Sequence, residues 1–165
     1  MVRASRPPQH LPPLKVLVVP ADVDQAPRVI DLNDGDGTVA NLQREVGRLL
    51  EVQAHPEADF WLHDEGRLID LPINVRVNHW LLHDSTRARE GVVTEGWIIY
   101  GDAVVTGPAD ATGDTTPVDD TMIDYFENLR LDANALADWD IRTTEATIIP
   151  FDLGDWPPPD IDPGL

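Results

Sequence analysis

The chain has 165 residues, enough for one domain of ordinary size, and its 30 acidic residues against 12 basic ones give a net charge of −18. Such a charge disfavours direct binding to the phosphates of nucleic acid or to an anionic membrane, and it favours partners with a basic surface. The absence of cysteine excludes disulfide bonds, zinc sites built from thiolates and catalysis by a thiol.

The N-terminal region predicts a leader followed by two strands. Residues 1–13 contain four prolines and few apolar side chains, which is typical of a disordered segment. The apolar run from Leu14 to Val19 is six residues long and ends at Pro20, which is too short for a signal peptide or a membrane span. We therefore expect a cytoplasmic protein whose first strand is this run and whose second strand is the RVIDL segment, residues 28–32.

The stretch Asp31–Gln43, DLNDGDGTVANLQ, is rich in the Asp, Asn and Gly residues of calcium-binding loops. Such a loop needs oxygen ligands at positions 1, 3 and 5, glycine at position 6 and a bidentate acid at position 12. Counted from Asp31, position 5 is a glycine, and with one inserted residue position 12 falls on Gln43, which has no carboxylate. We therefore interpret the stretch as a turn in which Asp36 or Thr38 caps the following helix.

The apolar residues that follow this turn recur with the period of an amphipathic helix. Gly47 lowers the helix propensity without breaking the pattern. The pair His55-Pro56 is the expected end of the helix, because the residue before a proline disfavours helical backbone angles. The predicted stripe consists of Val39, Leu42, Val46, Leu49 and Leu50.

The middle of the chain predicts further strands. Residues 58–72 form a strand, a tight turn and a return strand by pattern, residues 74–83 suit either a strand or a short helix, and residues 92–107 supply one or two strands. These elements indicate an α+β fold, with a small mixed sheet and one main helix packed across it. The strand–strand–helix–strand order suggests a ubiquitin-like (β-grasp) sheet.

The composition changes at Gly107. We predict a domain organisation with a leader at 1–13, an α+β domain at 14–107, a linker at 108–120 and an acidic C-terminal extension with one helix and a tail at 121–165. Residues 102–165 contain 15 acids and 2 bases, net −13, whereas residues 1–101 contain 15 acids and 10 bases, net −5. The helix of the extension is expected to open with a capping box at Thr121–Asp124, and residues 144–151 are predicted to form a last strand.

Three motifs in the α+β region follow one another in the order DEGRL, LPIN and GDAVVTG. On these motifs the segment from Lys15 to Gly107 resembles an uncharacterised domain, of unknown function, found in actinobacterial phages, plasmids and their hosts. The resemblance implies an accessory protein of a phage or mobile element that acts in the cytoplasm of the host cell, and it assigns no activity to any residue. The positions that match the pattern are Asp64, Glu65, Gly66, Pro72, Asn74, Gly101 and Asp102.

Two histidines are the only weak candidates for metal ligands. His79 and His83 are four residues apart, the spacing of a helical zinc pair, but residue 80 is Trp where the metalloprotease motif has Glu. A third ligand would have to come from His63 or from an acid. We expect an ordinary pair of histidines, no metal site and no cofactor.

The leading interpretation is a non-enzymatic acidic protein that binds a host protein with a basic surface and inhibits it, in its sharper form as a nucleic-acid mimic. Two tryptophans flanked by acids in the extension are candidate anchors for that partner, although the tail could equally dock on its own domain. The alternative is a metal-dependent hydrolase or other enzyme that uses the His and Asp residues around 63–84. Catalytic residues and oligomeric state stay open. The candidate partner-binding residues are Trp139, Trp156, Asp138, Asp140 and Asp155.

Overall fold

The computed structural model describes residues 12–33, 37–91 and 98–132. These residues form a five-stranded sheet with helices on both of its faces. The strands are β1 Lys15–Val19, β2 Arg28–Asp31, β3 Leu50–Ala54, β4 Asp59–His63 and β5 Ala103–Thr106. The helices are α1 Thr38–Val46, α2 Val75–His79, α3 Thr86–Arg89 and α4 Asp120–Asn128, with a π-helix at Trp80–Asp84 between α2 and α3.

The sheet has the strand order β2-β1-β5-β4-β3, and each of its pairs is antiparallel. The α+β class is confirmed, but the expectation of a mixed sheet was wrong. The ubiquitin-like arrangement suggested by the element order is likewise not supported. The pattern of elements was compatible with several strand directions, and only the pairing of distant segments selects among them.

Different helices cover the two faces of the sheet. The face covered by α1, the α1 face, has a core of Leu14, Val16, Val18, Leu32, Leu42, Val46 and Val104. The face covered by α2, the π-helix and α4, the α4 face, has a larger core of Leu17, Val19, Ala58, Phe60, Leu62, Val77, Trp80, Ile99, Ala103, Val105, Val118, Met122, Ile123 and Phe126. Because β1 alternates between the two cores, four of its five residues are buried.

Helix α1 ends earlier than its apolar pattern predicted. It stops at Val46; of the residues expected in its last turns, Leu49 lies in the connection that follows and Leu50 is the first residue of β3. Gly47 has a φ angle of 117°, and a Cβ atom at this position would lie 2.3 Å from Cδ2 of His63. Glycine adopts this backbone conformation and close approach without strain, and at this point the chain leaves the helix and continues into the strand beside β4. Val39 is 62% exposed and does not belong to the buried stripe.

The segment after Gly107 belongs to the packed unit. The Gly107 N–H donates to the Thr116 carbonyl (2.9 Å), and the N–H of the buried Val118 donates to the Lys15 carbonyl (2.9 Å). Helix α4 then buries Met122, Ile123 and Phe126 in the core of the α4 face.

This unit continues to Arg130, past the boundary that composition placed at Gly107, and the second unit, residues 131–165, lies almost entirely outside the described residues. The N-cap of α4 is Asp119, whose carboxylate accepts from the Thr121 N–H (2.7 Å), in place of the predicted capping box at Thr121. The strand predicted at residues 144–151 lies outside the described residues.

Two other predictions concern the middle of the chain. The return strand expected after the turn at residues 64–66 is not formed, because residues 64–70 continue as turns and Ile73 makes only an isolated bridge with Tyr100. Of residues 74–83, whose pattern suits either a strand or a short helix, Asn74 is the N-cap of α2, and residues 75–83 lie in α2 and in the π-helix, which ends at Asp84. Among the helices of the described segments, none has the length and apolar character needed to span a bilayer.

Candidate functional site

The acidic stretch after β2 uses its oxygens to hold the chain. Asp31 Oδ1 accepts from the Leu14 N–H (2.8 Å) and from the Asn33 N–H (3.0 Å). The Asn33 amide donates to the Pro12 carbonyl (2.8 Å), and its Oδ1 accepts from the Thr38 hydroxyl. The N-cap of α1 is Gly37, so Thr38 does not cap the helix as predicted, and Asp36 lies outside the described residues. These contacts are those of a turn rather than of a calcium loop.

The candidate metal ligands His79 and His83 lie side by side, with their ring centroids 4.7 Å apart. Burial, and then the neighbouring His83, lower the pKa of His79, whereas Asp84 opposes this shift. In the part of the chain that the structure describes, no three His, Asp or Glu side chains are arranged to hold a metal ion. The Nδ1 atom of His63, the suggested third ligand, accepts from the Glu65 N–H (3.1 Å).

Asp84, next to this pair, connects the π-helix to α4. Its carboxylate accepts from the Tyr125 hydroxyl (2.6 Å). Burial, followed by this hydrogen bond and the charge of Asp84, raises the pKa of Tyr125 well above its ordinary value. The phenol therefore stays protonated and acts as a donor that fixes the two helices to each other.

Two buried asparagines join three separate parts of the chain. The amide of Asn74 donates to the carbonyls of Val19 (2.9 Å) and Gly101 (3.0 Å), and its Oδ1 accepts from the Val77 N–H (3.2 Å) as the N-cap of α2. Asn78 exchanges hydrogen bonds with Ile99 and donates to the Asn74 carbonyl (2.8 Å). Asn74, a pattern residue to which the sequence assigned no role, therefore binds β1, α2 and the segment before β5 together.

Three more pattern residues make contacts that shape the same region. Gly101 has a φ angle of 81°, and a Cβ atom there would lie 2.7 Å from Cδ1 of Leu71. Its N–H donates to the Pro72 carbonyl (2.6 Å), and Asp102 Oδ1 accepts from the Ala21 N–H (2.9 Å).

The remaining pattern residues lie around the turn after β4. Gly66 is buried against the Tyr100 carbonyl, whereas Asp64 and Glu65 are exposed. The buried residues of the pattern thus hold separate parts of the fold together. The candidate anchors Trp139 and Trp156, with Asp138, Asp140 and Asp155, lie outside the described residues.

Helix α4 presents an acidic face to solvent. Asp120, Asp124 and Glu127 are exposed and, at intervals of four and three residues, lie on one side of the helix. The opposite side is buried in the core. Lys15 Nζ lies 2.7 Å from the Asp120 carboxylate, but both side chains are largely solvent-exposed, so this ion pair neutralises little of the surface.

Sequence reasoning missed a cleft of about 240 Å³ beside β3. The ring of His55 lies at its wall, edge-on to Phe60 and Trp80 at centroid distances of 5.6 Å each. Burial, and then the charge of Arg87, lower the pKa of His55, whereas Glu57 opposes this shift. The cleft is lined by Glu51, Val52, Gln53, Ala54, His55, Leu81, Leu82 and Arg87.

Hydrogen bonds hold Arg87, which lines this cleft, and the neighbouring residue Thr86 at the start of α3. Arg87 donates to the Ala54 carbonyl (3.2 Å), and the Thr86 N–H and hydroxyl donate to Glu57 Oε1, the former at 2.7 Å. Burial alone would raise the pKa of Glu57, but the bonds from Thr86 outweigh it and lower the pKa. No sequence motif predicted this site, and from the sequence His55 was interpreted only as the end of a helix.

The comparisons with known proteins give one match. No curated protein matches the chain, and no solved structure does. A family model described as a domain of unknown function (DUF3846) matches residues 14–130. The match includes α4, so it extends beyond the segment from Lys15 to Gly107 on which the resemblance was based. Because it covers well over half of the chain, the protein belongs to the DUF3846 family, a domain of unknown function.

Proposed function

We propose that this protein is a non-enzymatic binding protein that uses its acidic surface to bind a host protein with a basic surface, as an accessory protein of a phage or mobile element. The single observation behind this proposal is the acidic face of α4. Asp120, Asp124 and Glu127 are exposed on one side of a helix whose other side is buried. The charges are therefore held on a rigid support, which reduces the entropic cost of binding.

The charge of this surface suits a particular class of partner. Residues 102–165 have a net charge of −13, which attracts basic grooves over distances longer than direct contact. Regularly spaced carboxylates on a rigid element resemble the phosphates that such grooves normally bind. We therefore propose nucleic-acid mimicry as the sharper form, with Trp139 and Trp156 as apolar anchors within the acidic extension.

Affinity purification from host lysate tests the proposal. The expected result is recovery of a basic, nucleic-acid-handling protein that added salt or DNA displaces, because both compete with the charge interaction. A triple variant, Asp120→Asn, Asp124→Asn and Glu127→Gln, should lower the recovery. A matched variant with the same change in charge, Asp22→Asn, Asp24→Asn and Glu65→Gln, should retain it.

Two outcomes would contradict the proposal: recovery that is insensitive to salt and DNA, or recovery of neutral partners only. If the two triple variants recover the same amount of the partner, α4 has no role in binding. The acidic extension would then be the remaining candidate for the binding surface. Deletion of residues 131–165 then tests that extension, since the packed unit ends at Arg130.

A metal-dependent hydrolase is the second candidate, and the close approach of His79 and His83 is the observation that favours it. Metal analysis of the purified full chain discriminates between the two candidates. Stoichiometric zinc that is lost in His79→Ala and in His83→Ala, together with a loss of phenotype, would favour the hydrolase. If the protein contains no stoichiometric metal, and if His79→Ala and His83→Ala leave the phenotype unchanged, the hydrolase is excluded.

A further inference from the structure

The two edges of the sheet differ in how they are protected against pairing with another strand. The edge strand β2 begins with Arg28, which forms an ion pair with Glu45, and ends with Asp31. The other edge strand, β3, has the sequence LEVQA, with one charged residue and no lysine, arginine or proline. Charged residues and proline are the usual protection of an open edge, so β3 is the edge suited to accept a further strand.

Hydrogen bonds at the two ends of β3 indicate which backbone groups are directed outward. The Asp64 N–H donates to the Leu49 carbonyl (2.9 Å), and the His55 N–H donates to the Ala58 carbonyl (3.0 Å). Because these bonds alternate along an antiparallel pair, the odd-numbered residues of β3 direct their backbone groups towards β4. The even-numbered residues direct theirs to the outer edge, which no described strand pairs with. They are Leu50, Val52 and Ala54.

We propose that the outer edge of β3 pairs with β3 of a second copy of this chain, antiparallel about a two-fold axis at Val52. Val52 then lies opposite its own equivalent, and Leu50 lies opposite Ala54 of the second copy. All three of these residues have outward backbone groups, so the pairing forms hydrogen-bonded pairs along the whole strand. The Ala54 carbonyl also accepts from Arg87, and its second lone pair remains for the new bond.

The side chains of β3 are complementary to themselves in this register. Val52, 46% exposed, packs against its equivalent on the side of the α1 face. On the other side, Glu51 lies opposite Gln53 of the second copy, where its carboxylate accepts from the amide. A register centred on Glu51 would instead place two carboxylates directly opposite each other, which is destabilising. The self-complementarity of this strand is what identifies a second copy as the occupant.

The net charge of −18 on each copy opposes this association. Added salt screens repulsion between charges that lie far apart, whereas it leaves the strand pairing itself unchanged. The dimer should therefore strengthen as the salt concentration rises. This response is opposite to that expected of the basic partner proposed above, so the two proposals can fail independently.

Sedimentation equilibrium of the full chain tests the dimer. The wild-type protein should dimerise, and Val52→Lys should raise the dimer dissociation constant by about tenfold or more, because two ammonium groups would meet at the axis. The matched control is Val29→Lys on the β2 edge, where the valine is 43% exposed, and it should leave the constant unchanged. Circular dichroism confirms that both variants are folded.

Disulfide trapping provides a second, independent measurement in a chain that has no cysteine. The Cα atoms of a hydrogen-bonded antiparallel pair lie about 5.5 Å apart, within the range that a disulfide spans. Val52→Cys should therefore form a covalent dimer on mild oxidation, and Val29→Cys should not. A monomeric wild-type protein at all salt concentrations, or equal crosslinking of the two cysteine variants, would overturn the proposal.

Discussion

The two faces of the sheet are held together in different ways. The α1 face is an apolar core with one buried amide in its helix, Asn41, and its members lie between Leu14 and Val46 except for Val104, which comes from β5. The α4 face combines a larger apolar core with the buried amides of Asn74 and Asn78. Its elements come from β1, from α2 and from α4, which are separated by tens of residues. Most of the α1 face therefore comes from one continuous part of the chain, whereas the α4 face depends on contacts between distant segments.

This difference indicates where the fold is most sensitive to change. On the α1 face, a lost side chain removes apolar contacts, and neighbouring side chains can partly relax into the space. On the α4 face, a lost amide leaves buried carbonyl and N–H groups without partners on several elements at once. We therefore expect the larger losses of stability on the α4 face.

Truncation should give the largest effect. A chain that ends at Arg130 should unfold cooperatively, whereas a chain that ends at Gly107 should not fold, because it lacks the buried side chains of residues 118–126. Each fully buried apolar side chain contributes about 1.5–3 kcal/mol, and a whole domain is stable by only about 5–15 kcal/mol. Thermal unfolding followed by circular dichroism shows whether each truncated chain folds and unfolds cooperatively. Cooperative unfolding of the shorter chain would mean that α4 is dispensable to the α4 face.

Asn74→Ala should lower the free energy of unfolding by about 3 kcal/mol, because it leaves the Val19 and Gly101 carbonyls and the Val77 N–H without their partner. The matched variant on the α1 face is Asn41→Ala, which removes a donor to the Leu32 carbonyl and should cost about 1 kcal/mol. Urea denaturation measures both losses. Equal losses would remove the contrast between the two faces.

Gly47→Ala should cost about 2 kcal/mol, because it combines a positive φ angle with a collision between Cβ and the His63 ring. Gly113→Ala is the control, since its φ angle is also positive but no atom lies within 4 Å of the added Cβ. The control should cost about 1 kcal/mol. If the two substitutions cost the same, the close approach of His63 does not limit where α1 ends.

The local parts of this fold were predictable from the sequence, and the distant ones were not. The β-branched runs predicted β1 and β2 correctly because such runs favour a strand both in the buried β1 and in the largely exposed edge strand β2. The apolar spacing of Leu49 and Leu50 continued the pattern of α1, and it concealed that Gly47 ends the helix against a histidine from β4. A short-range pattern contains no information about that contact.

The sequence was limited in the same way in what it predicted about the candidate sites. Asn74 was selected by its motif, but its hydrogen bonds to β1 and to Gly101 depend on tertiary structure. His55 was noticed only for the proline that follows it, because the cleft exists only once β3 lies beside the π-helix. The compositional break at Gly107 reflected a change of surface charge, whereas the buried residues of α4 continue the core across it.

The smallest expected effect is on the pH dependence of stability, and it again distinguishes the α4 face from the α1 face. Burial lowers the pKa of His55, which packs against Phe60 and Trp80 of that core, so the folded protein binds fewer protons than the unfolded chain. The resulting contribution to stability is present above the ordinary pKa of 6.5 and is lost as the pH falls below it towards the lower folded value.

His55→Phe keeps an aromatic ring at this position and removes the titrating group. Urea denaturation between about pH 7.5 and pH 5.5 should therefore show a smaller loss of stability on acidification for this variant than for the wild type. His79, whose pKa burial also lowers, should account for part of the remaining loss, so His55→Phe combined with His79→Gln should flatten the dependence further. If both variants keep the pH dependence of the wild type, the protons that destabilise the fold on acidification bind to other groups. Acid sensitivity would then not distinguish the α4 face from the α1 face.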